Sequence, residues 1–200
     1  MTLLDRLKAR YFAPIFPGNP HEAAARGLYE AVVAQARQPV FYRDCAVADS
    51  VDGRFDLLVL HAWLVMRRLR EAPAPAAAVS QTLFDLLFFD MDQSVRVSGV
   101  GDLKVGPKVT AMGRAFYGRV EAYDRALAGE AAGGGSAGED ALAEALRRNL
   151  YRGAPVPAAA VEAVAAYLRR QIEALAGQPD AALLAGRPAF AAAPEPAGNG

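Results

Sequence analysis

The residue types that most often carry chemistry are few in this chain, and their spacing does not suit it. Asp85, Asp90 and Asp92 fall in one apolar stretch. Asp85 and Asp92 are seven positions apart, so on a helix they share a face, an arrangement open to a general acid–base pair. Arg96 stands four residues beyond Asp92, however, and an i,i+4 ion pair accounts for that aspartate more simply. The chain has two histidines, His21 and His61. His61 lies in an apolar run with no carboxylate three or four positions away, so neither zinc nor di-iron spacing occurs there. It is expected to be a core histidine making one hydrogen bond. Gly101-x-x-x-x-Gly106 is followed by Pro107-Lys108-Val109. A phosphate-binding loop needs its lysine directly after the second glycine and a Ser or Thr after the lysine, so this stretch falls short. Cys45 has no histidine near it in sequence, and no nucleophile-elbow motif occurs. The expectation is no enzyme, no cofactor and no metal.

The elements around these residues read as helices. Phe84, Leu87, Phe88, Met91 and Val95 recur at three- and four-residue spacing, and Leu83, Leu86 and Phe89 widen the stripe to most of the circumference. A helix apolar nearly all round is buried, so this one is expected at the centre of a bundle, ending near Gly99. A Gly99-Val100-Gly101-Asp102 turn follows, with Asp102 as a cap. A second helix is expected from Val105 or Gly106 to about Leu127, with Pro107 in its first turn. Its apolar stripe is Val109, Met112, Phe116, Val120 and Tyr123, and Ala111, Ala115, Gly118 and Ala122 line a neighbouring small-residue face. From Arg96 to Arg119 there are five basic residues, Arg96, Lys104, Lys108, Arg114 and Arg119, against one acid, Asp102.

The bulk composition sets the frame. Two hundred residues suffice for one domain with a real core. Lys+Arg and Asp+Glu both number 22, which argues against a general nucleic-acid binder. One cysteine permits no internal disulfide and points to a reducing compartment. No apolar run reaches transmembrane length, and the first residues do not form a secretory signal, so the default location is the cytoplasm.

Residues 1–18 hold a short amphipathic segment, with Leu3, Leu4, Leu7 and Tyr11 set against Arg6, Lys8 and Arg10. It is a docked helix or, more sharply, a contact with an anionic membrane surface. Asn19-Pro20-His21-Glu22 is a helix start with a capping box, and that helix runs to about Arg37. Phe41-Tyr42 is expected in a loop plugging the bundle end. A third helix is expected over 54–70, entered through Asp52-Gly53, and its last cations, Arg67, Arg68 and Arg70, suit a solvated, dipole-matched terminus. Residues 19–128 thus form the core, 129–138 a Gly-rich loop, 139–185 two or three helices packing on the core, and 186–200 a disordered tail. Strand signals are almost absent. The chain reads as all-α, a single-domain bundle of about seven helices.

Three separated segments carry a resemblance, in order. Tyr29 to Arg37 is followed by Pro39 and Phe41-Tyr42; Asp52-Gly53-Arg54-Phe55-Asp56 leads to Leu60-His61. Then come Met91-Asp92, Arg96, Gly99-Val100-Gly101-Asp102-Leu103, Met112 and Ala115-Phe116-Tyr117-Gly118-Arg119. Over roughly residues 25 to 130 the chain resembles the ubiquinol–cytochrome c reductase chaperones, bacterial members included. It departs at Val97 and Arg114, where the family pattern leads one to expect acids. The resemblance implies an assembly factor that binds newly made cytochrome b during assembly of the cytochrome bc1 complex (respiratory complex III), at the cytoplasmic face of the inner membrane. Other assembly factors are further partners to expect. The expected contact surface is Asp92, Arg96, Gly99, Val100, Gly101, Asp102, Lys104, Lys108, Phe116, Tyr117, Gly118 and Arg119. Phe116, Val100 and Leu103 also fit a core role, and Arg96 also fits a simple pair with Asp92. The alternatives are a bundle binding a small ligand or lipid between the two central helices, and an accessory structural subunit of the finished complex.

Overall fold

The structure is a computed structural model that describes residues 16, 18–97, 102–133 and 136–194. The N-terminal amphipathic segment and the Gly99-Val100-Gly101 turn lie outside the described residues. Eight helices appear among those described: α1 (Glu22–Ala36), α2 (Val40–Arg43), α3 (Val51–Arg70), α4 (Ala76–Val97), α5 (Asp102–Gly133), α6 (Ser136–Asn149), α7 (Ala158–Ala176) and α8 (Asp180–Leu184). The domain is all-α. Among the described residues no helix is long and apolar enough to cross a membrane.

The central helix is α3, not α4 as its apolar circumference had suggested. α3 packs against α1, α4, α5 and α7. From Phe55 to Val65 every side chain except Leu58 is buried. α4 keeps a face to solvent, and its Phe89 is 42% exposed. An apolar circumference says how much surface a helix offers for packing, and here part of the α4 surface stays uncovered.

Local chemistry sets the helix ends. α1 begins where Asn19 Oδ1 accepts the His21 N–H at 2.9 Å. Glu22 does not close the expected capping box; its Oε2 reaches further back and accepts the Phe16 N–H at 3.0 Å. α3 starts a turn earlier than expected because Ser50 Oγ accepts the Gly53 N–H at 3.1 Å. Gly53 therefore lies inside the first turn, pressed on the preceding loop: a Cβ there would sit 2.0 Å from the Ala48 carbonyl oxygen. Phe41 and Tyr42 form the short α2 and not a loop, with Phe41 fully buried.

The C-terminal cations of α3 are cross-links, not a solvated terminus. Arg68 donates to the carbonyls of Leu175 and Gln178 at 3.0 Å and to Asp180 Oδ1 at 2.6 Å, so it ties α3 to the end of α7 and the start of α8. Arg70 and the Trp63 indole both donate to Asp124 of α5, at 3.0 and 2.8 Å.

The expected Gly-rich loop is largely helical, since α5 runs to Gly133 and α6 opens at Ser136. The two helices form a hairpin in which Ala122 and Ala126 line a groove with Ala141 and Ala145. The expected disordered tail is ordered over residues 186–194, an extended strap laid across α7. Gln178 and Gln171 hold it through the backbones of Ala189 and Ala191.

His61 makes two hydrogen bonds, one more than expected. Leu57 O can only accept, so His61 Nδ1 carries the proton and donates to it at 2.7 Å. Nε2 then accepts from the Tyr167 hydroxyl at 2.8 Å, and that hydroxyl accepts from Gln35 Nε2 at 2.9 Å. Burial pushes His61 down to about 4, with the bond to Leu57 opposing.

Two outcomes follow. Gly53→Ala lowers the urea midpoint by an amount equivalent to about 2 kcal/mol or more, because the clash is with backbone. His61, depressed from about 6.5 in the unfolded chain, contributes stability that is fully present above that pH and is lost as pH falls toward about 4. Urea melts will show about 2 kcal/mol less stability at pH 5.0 than at pH 7.5 from this group. His61→Gln flattens that difference.

Candidate functional site

The residues singled out for a contact surface divide into an inner and an outer set. Phe116 belongs to the inner set. It is 2% exposed, with its ring edge-on to Phe84 at 5.3 Å and to Phe88 at 5.8 Å between centroids. Burial in the α4–α5 seam rules it out as a surface contact.

Arg119 is also turned inward. Its Nη2 lies 2.8 Å from Asp56 Oδ1, and only 12% of its side chain is exposed. Its Nε donates to Asn149 O at 3.2 Å, and its Nη1 donates to Ala115 O at 3.2 Å. The guanidinium carbon stands 5.7 Å from the centre of the Phe55 ring. Asp56 is fully buried and takes a second cation on its other oxygen, Arg152 Nε at 2.5 Å. Arg152 also reaches Asp52 Oδ2 at 2.9 Å. It sits on a left-handed backbone, φ 55°, followed by Gly153 at φ 74°, a turn that aims its side chain back onto the start of α3. Burial raises the Asp56 carboxyl above its ordinary range, opposed by the Arg152 hydrogen bond and by the charges of Arg119 and Arg152. Two guanidinium groups on one buried carboxylate join α3, α5 and the α6–α7 turn. Arg152 was missed by sequence reasoning, since nothing local marks an arginine that pairs across the fold.

The outer set is exposed or half-buried on α4 and α5. Asp92 and Arg96 pair on α4, Arg96 Nε to Asp92 Oδ2 at 2.6 Å. Lys108 and Gly118 are exposed on α5. Tyr117 is 61% exposed and joins its ring to Phe84 at 5.5 Å. Phe84 stacks tilted on Phe88 at 4.4 Å, and the Phe88 ring lies beside Gly113, where a Cβ would be in ordinary contact with it at 3.6 Å. The aromatic cluster thus runs from the core at Phe116 out to solvent at Tyr117. Phe89 at 42% and Val97 at 86% are exposed apolar side chains of α4; the sequence reading had assigned Phe89 to the core and marked Val97 only as a departure from the family pattern. Arg114 is exposed on α5 as well. Asp102 and Lys104 fall in the first turn of α5, while Gly99, Val100 and Gly101 lie outside the described residues.

Among the described residues no group of three His, Cys, Asp or Glu is placed to hold a metal ion. Two hollows open on the surface of α5, one bordered by α6 and one beside Tyr117, Val120 and Asp124. Neither lies between α4 and α5, where a ligand pocket had been considered.

Ion pairs thus bind the helices to one another, and aromatic side chains are left at the surface of α4 and α5. Comparison with known proteins supplies the family. The family model described as ubiquinol-cytochrome C chaperone matches residues 43–190, and the chain belongs to that family. Its role is accordingly that of an assembly chaperone for ubiquinol–cytochrome c reductase. It is similar to ubiquinol-cytochrome-c reductase complex assembly factor 1 of Xenopus laevis, 22% identical over 152 residues, covering 76% of this chain and 72% of the frog protein. The human protein of that name is 23% identical over 152 residues, covering 76% of this chain and 48% of its own length. The chain thus spans about half the length of the human relative. Among solved structures, the Cbp3 homolog from Brucella abortus superposes with a TM-score of 0.74 at 33% identity, covering 94% of this chain and 95% of that one.

Inner and outer residues should separate cleanly in a thermal melt followed by circular dichroism. Arg119→Glu places two carboxylates in a buried site and lowers stability by about 3–5 kcal/mol or prevents folding. Tyr117→Ala and Lys108→Glu each change it by less than about 0.5 kcal/mol.

Proposed function

We propose that the chain assists bc1 assembly by binding newly made cytochrome b through the outer face of α4 and α5. The observation that carries this reading is the aromatic cluster of Phe84, Phe88 and Phe116 that reaches solvent at Tyr117, 61% exposed, with the exposed cation Arg114 three residues before it on α5. A membrane subunit awaiting its cofactors and neighbours exposes apolar surface that aggregates. An apolar patch with a polar rim is suited to cover such a surface and release it later. The contact set on this reading is Tyr117, Gly118, Lys108, Asp92 and Arg96, with Phe89 and Val97, continuing toward residues 99–104. Phe116 and Arg119 support it from beneath. The chain works at the cytoplasmic face of the inner membrane, as a peripheral protein.

The test is affinity capture of the tagged chain from gently solubilised native membranes. Cytochrome b is recovered without the full set of bc1 subunits. A Tyr117→Ala, Lys108→Glu double variant with an unchanged melt lowers that recovery roughly fivefold or more, the loss of about 1 kcal/mol of contact. A folded, well-expressed bait that returns no bc1 component, even with cross-linking during active synthesis, overturns the reading. Stoichiometric presence in the mature complex would favour an accessory subunit instead.

A further inference from the structure

The strap of residues 186–194 is held largely through its backbone, with Phe190 half-buried and Pro194 buried among its side chains. It starts at Gly186, whose φ is 72° and where a Cβ would meet the Ala24 carbonyl oxygen at 2.5 Å. Gly27 of α1 opposes it with the same constraint, since a Cβ there would lie 2.4 Å from Gly186 O. Beyond this pinned end the strap crosses α7. Gln178 accepts the Ala189 N–H at 2.8 Å and donates to Ala189 O at 2.6 Å. Gln171 does the same for Ala191, both at 2.9 Å. Each amide therefore reads both backbone groups of one residue, in the manner of an added β-strand.

Between those residues Phe190 packs on the core, edge-on to His61 at 6.0 Å. The rings of Phe41 and Tyr167 complete that wall, each in contact with the other and with His61. Ala189 and Ala192 are exposed and add no selectivity. Gln171 is fully buried, so a vacated groove leaves a buried amide unpaired, and the site favours having an occupant.

We propose that this groove is a peptide site filled in cis by the strap, and that an extended client segment of the pattern small–aromatic–small displaces it. This rests on the client-binding reading and adds a second point of contact. Past the backbone bonds of Gly186 and Arg187 to Leu183 O and Ala182 O, only the four glutamine hydrogen bonds, the Phe190 ring and the buried Pro194 hold the strap, as in a low-stability element. A client chain that has not yet folded offers extended backbone with apolar side chains, the chemistry that the two glutamines and the aromatic wall accept.

The experiment uses the full chain and a fluorescent peptide of residues 187–194, RPAFAAAP, with binding read by anisotropy. Phe190→Ala, which frees the groove of its own ring, takes up the peptide at least tenfold more tightly than the unmodified chain. Adding Gln171→Leu removes that uptake. In the unmodified chain, hydrogen exchange at the Ala189 and Ala191 amides runs at least a hundredfold faster than at the amides of α3. Exchange as slow as α3 overturns the proposal, whether or not Phe190→Ala folds. So does a folded Phe190→Ala chain that takes up no peptide. Concentration-dependent dimers formed by strap exchange, without peptide uptake, assign the groove to a second copy and overturn it too. If these fail while capture through Tyr117 persists, only the groove proposal falls; if capture fails as well, the client reading falls with it.

Discussion

A buried carboxylate held by two guanidinium groups organises this molecule. Asp56 lies on the central helix α3 with no exposed surface, and an unpaired charge there would cost several kcal/mol. Arg119 and Arg152 supply its counter-charges from α5 and from the turn between α6 and α7. The three groups bring distant parts of the chain to one point. Arg119 adds hydrogen bonds to Asn149 O and Ala115 O, so the end of α6 is fixed relative to α5 as well. A point charge such as lysine lacks the forked donors to serve all three acceptors at once.

This constraint sets the position of the outer face. α5 carries Arg119 inward, Phe116 into the seam and Tyr117 out to solvent, within four consecutive residues of one helix. Fixing the guanidinium on Asp56 fixes the rotation of α5, and with it how far Tyr117 and its neighbours stand from α4. The stretch Ala115-Phe116-Tyr117-Gly118-Arg119 thus combines a lock, a core ring and an exposed ring. The family resemblance carried by that stretch and by Asp52-Gly53-Arg54-Phe55-Asp56 has a physical counterpart: the last residues of the two segments form the ion pair.

Much of the fold was legible because helical periodicity is local. The stripes of Leu28 and Val32, of Leu87 and Met91, and of Val161, Val164 and Leu168 each predict a helix face that the structure buries. What sequence could not show was long-range pairing. Arg119 read as a surface cation because its partner stands on another helix, and Arg68 read as a dipole-matched terminus for the same reason. Arg152 carried no local signal at all. Helix centrality was misjudged because α4 is apolar nearly all round yet leaves Phe89 and Val97 uncovered. The tail read as disordered from its Pro, Ala and Gly content, but the order of residues 186–194 comes from Gln171 on α7 and Gln178 just beyond its end, seven positions apart. That spacing was present in the sequence; the strap that uses it was not predictable from composition.

The most direct test of the central claim is a double-mutant cycle between Asp56 and Arg119, using Asp56→Asn, Arg119→Gln and the pair, with stability read from urea unfolding. The account predicts that the single changes destabilise strongly and that the pair costs much less than their sum, a coupling of about 2 kcal/mol or more. Additive effects within about 0.5 kcal/mol would show that the two residues act independently, and the lock would not be what sets α5 against α3.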